Sequence, residues 1–209
     1  MALIALVSIL AALLWLRLSP VKLKEQDIMA QLQAWQTPLS VRFFQVISDY
    51  GKYVNIGVPV VFLVIGLITR KKQFIRNAFI ILLSMSLSGI IGQTIKRTFR
   101  EPRPYEVDAR ITQWSVGGSN SFPSGHTAEV TAAMLGFAMI LFRTRLAAFL
   151  CILWALIMML SRIVLGVHNF TDIAGGLVTG CIGFLAIRQI FDNFENRSVQ
   201  KDVPKSEAY

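Results

Sequence analysis

Residues 146–165 read Leu-Ala-Ala-Phe-Leu-Cys-Ile-Leu-Trp-Ala-Leu-Ile-Met-Met-Leu-Ser-Arg-Ile-Val-Leu. One charge, Arg162, interrupts the run, close to its end. A helix needs about 20 mostly apolar residues to cross a bilayer, so this stretch is long enough to span one. Outward from it the pattern recurs. Ile173–Ile190 follows, and Ala2–Leu18, Tyr53–Thr69, Ala78–Ile95 and Thr127–Phe142 precede it. Glu129 falls in the first turn of the Thr127–Phe142 stretch, while Arg17 and Arg188 lie near span ends. The chain therefore reads as all-α, a polytopic membrane protein with six transmembrane helices in a bundle. Residues 1–209 form a single membrane-embedded domain, with about 191–209 as a flexible cytoplasmic tail.

Composition agrees. Hydrophobic residues make up 54% of the 209, charged residues 16%, and the mean hydropathy is +0.56. A soluble domain carries about 25% charged residues. The balance excludes an ordinary soluble globule, a disordered chain and a disulfide-rich secreted module. Cys151 and Cys181 lie inside apolar runs and read as small core residues. Two His and two dispersed Cys do not easily supply a zinc site. The net charge of +9 suits basic loops against anionic lipid better than nucleic acid.

Ala2–Leu18 has the length of a secretory signal. No Lys or Arg precedes it and no small-x-small cleavage site follows, so it reads as a retained first span. Pro20–Lys52 is a polar and aromatic connector. Within it Asp27–Ile47 places Ile28, Leu32, Trp35, Leu39, Phe43 and Val46 at helical spacing. This predicts an interfacial amphipathic helix between the first two spans, the alternative being a substrate lid. The short basic connections Arg70-Lys71-Lys72 with Arg76, and Arg143 with Arg145, belong in the cytoplasm, as does the tail with Arg197, Lys201 and Lys205. The opposite side carries Lys96, Arg97, Arg100, Arg103 and Arg110, so raw count does not orient the chain. The charge rule decides only if chemistry holds that second group in place.

Three clusters fall on that face. Lys96-Arg-Thr-Phe-Arg-Glu-Pro-Arg103-Pro104 follows the third span. Pro123-Ser124-Gly125-His126 precedes the fourth, and Ser161-Arg162 leads through His168 to Asp172 between the fifth and sixth. Lys96, Arg103 and Arg162 are three cations suited to phosphate oxygens. Ser124 and Gly125 stand at a helix start, where unpaired N–H groups favour an anion. The four-residue step from His168 lets Asp172 face one imidazole nitrogen and leave the other as nucleophile. His126 is then placed to protonate a leaving oxygen. Each feature has a plainer reading. Arg162 snorkels, Pro-Ser-Gly makes a turn, and Asp172 caps the last span. Convergence on one face outweighs these, because idle charge near span ends is costly in lipid.

Lys-x6-Arg-Pro, Pro-Ser-Gly-His and Ser-Arg-x5-His-x3-Asp together resemble the three-part signature of the type 2 phosphatidic acid phosphatase family, with no departure at any specified residue. The resemblance covers Lys96–Asp172 by motif, and the hydropathy points to the membrane branch. It implies His168 as phosphoryl-accepting nucleophile and Asp172 as its orienter. His126 becomes the acid and then the base that activates water. Lys96, Arg103, Ser124, Gly125 and Arg162 become the phosphate ligands. It also implies a metal-independent enzyme without cofactor, working on the outer face of a bacterial cytoplasmic membrane.

The expected function is hydrolysis of a lipid phosphate or diphosphate such as undecaprenyl diphosphate, phosphatidylglycerophosphate, phosphatidic acid or a lipid A phosphate. The expected partners are that substrate and membrane lipids, with no nucleic acid. A phosphotransferase using the same intermediate is the alternative. A transporter fits poorly, since the span centres are uncharged and Ser84, Ser86, Ser88 and Gln93 can bond to their own or a neighbouring helix. Glu129, one turn after His126, faces either the pocket or a partner such as Arg100 or Arg110. Tyr105–Phe122, with Asp108, Arg110, Trp114 and Gly117-Gly118, shapes the entrance without naming the head group.

Overall fold

The computed structural model describes residues 2–16, 21–118, 120–142 and 144–202. Arg17, Arg143 and the end of the tail, 203–209, lie outside the described residues. The described chain is helical, with no strand. Its helices are α1 (Ala2–Leu16), α2 (Val21–Ala34), α3 (Pro38–Thr69), α4 (Lys72–Phe99), α5 (Pro104–Val107), α6 (Gly125–Gly136), α7 (Arg145–Val164) and α8 (Phe170–Asp202). A π-helical segment, Phe137–Phe142, extends α6. Four segments are long and apolar enough to cross a membrane: Pro38–Thr69, Lys72–Val107, Arg145–Val164 and Phe170–Arg197. The other two expected spans are shorter, α1 with 15 residues and α6 with 12 before its π-helical extension.

The connector differs from expectation. Asp27–Ile47 is split between α2 and the start of α3. Thr37 caps α3: its Oγ1 accepts from Ser40 N at 3.2 Å, and Ser40 Oγ accepts from Thr37 N at 2.9 Å. Pro38 at the first helical position needs no hydrogen-bond acceptor, which favours a start there. From that start α3 runs unbroken into the second expected span. The tail also differs. With no Pro before Pro204, α8 continues past Ile190 to Asp202. Arg76 on α4 holds this extension through Asp192 at 3.0 Å and Glu195 at 2.9 Å.

α8 packs against α1, α4 and α6. Its glycines set the distances. A Cβ on Gly176 would stand 2.5 Å from Ser124 O, one on Gly180 2.5 Å from Ala128 O, and one on Gly183 2.9 Å from Ser84 O. Small residues thus bring the backbones of α6 and α4 directly onto α8, as at close-packed membrane helix pairs. Ser84, Ser86 and Ser88 donate to their own helix, to the carbonyls of Ile80, Leu82 and Ser84. Val60, Val61, Val64 and Leu67 on α3, with Phe149, Leu150, Ile152 and Leu156 on α7, remain exposed. An apolar surface of that extent belongs against lipid.

Candidate active site

The end of α4, the start of α6 and the turn from α7 to α8 meet at one end of the helices. Lys96, in the last turn of α4, is buried, and its Nζ donates to Asn120 O at 2.6 Å and Ser121 O at 3.2 Å. Asn120 Nδ2 donates back to Lys96 O at 2.8 Å. Arg100, in the left-handed region at φ 45°, closes α4 so that the chain turns toward Arg103. Arg103 is buried. Its Nη1 donates to Val167 O at 2.7 Å and its Nη2 to Asn120 O at 3.3 Å.

Gly166, at φ 76°, makes the left-handed turn after α7, and a Cβ there would collide with Thr112 O. The turn directs Val167 N and His168 N toward Arg162 O, at 3.2 and 3.3 Å. His168 and Asp172 are buried, with Nδ1 and Oδ2 3.4 Å apart, close but without hydrogen-bond alignment. Oδ2 of Asp172 also accepts from Ser121 Oγ at 2.6 Å and from Asn169 N at 2.7 Å. On the other side of the ring, Nε2 lies 3.4 Å from Arg103 Nη1. Burial pushes the His168 imidazole down to about 3, overriding the opposing pull of Asp172, so the ring is neutral.

Ser124 caps α6. Its Oγ accepts from Thr127 N at 3.4 Å and Thr127 Oγ1 at 3.0 Å, and its backbone N donates to Asp172 O at 2.9 Å. The cap therefore occupies the hydroxyl oxygen as acceptor. A Cβ on Gly125 would meet nothing within 4 Å, which leaves the backbone at the helix start approachable. His126 and Arg162 line a cavity of about 560 Å³ together with Ser48, Asp49, Lys52 and Gly117. The Arg162 Nη1 donates to Ser48 Oγ and, at 3.4 Å, to Ser115 Oγ; Nη2 donates to Val116 O at 3.4 Å. Its Nε is buried without a partner.

Lys96, Arg103, His168 and Asp172 thus form one connected cluster, joined through Asn120 and Ser121, while Arg162 and His126 meet at the adjoining cavity. Glu129 instead lines a groove with Ile56, Leu82, Met85, Ser86 and Gly89. Its suggested partners are engaged elsewhere: Arg100 donates to Arg97 O, and Arg110 pairs with Asp27 and Asp108, both at 2.7 Å.

Several supporting residues escaped the sequence reading. Glu25 on α2 accepts from Thr171 N at 2.8 Å and Thr171 Oγ1 at 3.0 Å, fixing the start of α8 beside His168. Gln33 donates to Thr112 O at 2.9 Å and Val164 O at 3.0 Å, and accepts from Thr112 N at 2.8 Å. Ser48 on α3 and Ser121 belong to the same support. The polar character of the Pro20–Lys52 connector was the only signal of the first two.

Comparison with known proteins bears on this geometry. The model of the PAP2 superfamily matches residues 77–195. Lipid A 1-phosphatase of Rhizobium etli is 30% identical over 98 residues, covering 44% of this chain and 41% of that protein. The chain thus matches about two fifths of that relative's length. Undecaprenyl-diphosphatase BcrC of Bacillus subtilis is 34% identical over 100 residues, 47% of this chain and 50% of that protein. The crystal structure of a transmembrane PAP2 type phosphatidylglycerolphosphate phosphatase from Bacillus subtilis superposes with a TM-score of 0.76. It covers 91% of this chain and 96% of that one at 18% identity, a likeness of fold.

Proposed function

The chain belongs to the PAP2 superfamily, and on that premise we propose that it is an integral membrane phosphatase of lipid phosphates or diphosphates acting through a phosphohistidine. Its six spans are α1, α3, α4, α6 with its π-helical extension, α7 and α8, with α2 at the interface. The site faces the extracytoplasmic side of a bacterial cytoplasmic membrane. That orientation puts the basic Arg70–Arg76 connection inside.

One observation carries the mechanism: His168 stands between Asp172 and Arg103, with Nδ1 3.4 Å from the carboxylate and Nε2 3.4 Å from the guanidinium. With Nδ1 protonated toward Asp172, Nε2 keeps a lone pair aimed where Arg103 would hold a phosphoryl oxygen. Nε2 attacks phosphorus as the bond to the leaving oxygen breaks, and His126 gives that oxygen a proton. His126 then takes a proton from water, whose oxygen displaces the imidazole and releases phosphate. Lys96, Arg103, Arg162, the Ser124 hydroxyl and the backbone amide of Gly125 stabilise the equatorial charge. The buried Nε of Arg162 is a donor that a phosphoryl oxygen would satisfy. This cationic donor set suits an anion and repels a divalent metal, which supports metal-independent chemistry.

Replacing His168 by Ala is expected to abolish phosphate release from lipid phosphates while the membrane level of the protein is unchanged. Near-normal release by that variant would refute the nucleophile. Wild type denatured during turnover of phosphate-labelled substrate is expected to carry an acid-labile adduct that His168→Ala lacks. Label passing to a second lipid rather than to free phosphate would identify a transferase.

A further inference from the structure

The mechanism leaves one charged wall of the site unused. α3 contributes Ser48, Asp49, Lys52 and Tyr53 to the cavity that His126 and Arg162 close from the other side. Lys96, Arg103 and His168 do not line it. The cavity therefore lies on the His126 side of the cation cluster. Attack and departure at phosphorus are roughly in line. With His168 as nucleophile and His126 as acid, the cavity receives the leaving group.

Lys52 is exposed to that space. Its ammonium lies 5.1 Å from the centroid of the Tyr53 ring and forms no ion pair among the described residues. Asp49, one turn earlier, lines the same cavity and disfavours an anion at its own end. Asp49 acts on Arg162, whereas Lys52 stands outside the cation cluster, on the wall of the cavity that receives the leaving group. A leaving group that carries its own phosphate brings the charge Lys52 is placed to meet.

We propose that Lys52 is a specificity residue that binds a phosphate on the leaving group, so that the preferred substrates are lipids bearing a second phosphate beside the scissile one. The inference rests on the phosphatase reading above. For a diphosphate, the bond from His168 Nε2 to the terminal phosphorus forms as the bridging P–O bond breaks. The bridging oxygen keeps the electron pair and takes the proton of His126. The product leaves as a lipid monophosphate held by Lys52. A phosphodiester further along the head group, as in phosphatidylglycerophosphate, offers the same charge at greater reach.

The test compares wild type, Lys52→Ala and Lys52→Arg in detergent on four substrates: a prenyl diphosphate, a prenyl monophosphate, phosphatidylglycerophosphate and phosphatidic acid. Loss of one charge-assisted contact predicts that Lys52→Ala lowers the diphosphate-to-monophosphate ratio of kcat/KM about tenfold, and that Lys52→Arg restores most of it. The corresponding fall for phosphatidylglycerophosphate against phosphatidic acid would support the same role with a phosphodiester as the source of charge. Both ratios staying within twofold of wild type, or arginine failing to rescue, would overturn the proposal. Calorimetric binding of inorganic diphosphate and phosphate separates this from the parent reading. If wild type hydrolyses none of the four lipids, the phosphatase reading fails. If Lys52→Ala binds both ions as wild type does, the role of Lys52 fails on its own.

Discussion

Replacing Gly180 by Ala tests whether α8 positions the two halves of the site. The added Cβ would lie 2.5 Å from Ala128 O and 2.6 Å from the Cβ of Thr131, where ordinary contact begins near 3.4 Å. The shortfall against the carbonyl is about 0.9 Å. The obstacle is backbone, so a rotamer change cannot absorb it, and α6 must move away from α8. That motion carries His126, half a turn before Ala128, away from His168 and Asp172 at the start of α8. A misplacement of about 1 Å at a reacting centre costs about 10²-fold in rate. Overpacking adds about 1–3 kcal/mol of destabilisation. The assay is phosphate release from a lipid phosphate by purified protein, with size exclusion and thermal unfolding in detergent to establish that the variant is folded. Gly57→Ala is the control, because a Cβ there meets nothing within 4 Å. It is expected to retain activity, with stability unchanged or raised by about 0.5–1 kcal/mol from the helix preference of Ala. A folded Gly180→Ala protein with kcat within twofold of wild type would refute the claim that this contact sets the geometry.

Two other outcomes follow from the support around His168. Glu25→Ala removes both acceptors from Thr171 at the buried start of α8. The expected cost is about 1–3 kcal/mol, read as a lowered thermal midpoint together with reduced kcat, and partial recovery in Glu25→Gln. The pH dependence comes from the neutral His168, whose imidazole sits at about 3 against an ordinary 6.5. The native state binds fewer protons at this site than the unfolded chain. The resulting stability is complete above pH 6.5 and is lost as pH falls from there toward 3. Thermal midpoints measured from pH 7 to pH 4 should decline less steeply in His168→Asn than in wild type; equal slopes would contradict the assignment.

The motif residues were legible because their side chains announce chemistry in a fixed order, and the fold joins Lys96, Arg103, His168 and Asp172 as that order implies. The glycines of α8 were visible as small residues in an apolar run, but their partners on α6 and α4 follow only from packing. The break before α3 had a local signal, Thr37 followed by Pro38, which the apolar spacing across Asp27–Ile47 masked. Glu25, Gln26 and Gln33 are buried, although on an amphipathic helix they look like a solvated face. Burial of a polar side chain depends on acceptors and donors supplied by distant segments, here Thr171, Thr112 and Val164. Periodicity carries no information about those.

Those distant segments change the meaning of the loop between Tyr105 and Phe122. Buried cations repel one another and are tolerated only where hydrogen bonds replace lost water. Lys96 is held by the carbonyls of Asn120 and Ser121, Arg103 by those of Asn120 and Val167, and Arg162 by Val116 O with the hydroxyls of Ser115 and Ser48. Gly117 packs on the Arg103 side chain so closely that a Cβ there would stand 2.8 Å from Arg103 Cδ. The loop is therefore a clamp on the three cations proposed as phosphate ligands. Its backbone fixes the cations in place before substrate arrives, which is the preorganisation that phosphoryl transfer rewards. Changes in this loop should consequently alter phosphate binding and turnover for every substrate, whereas changes on the α3 wall should discriminate among leaving groups.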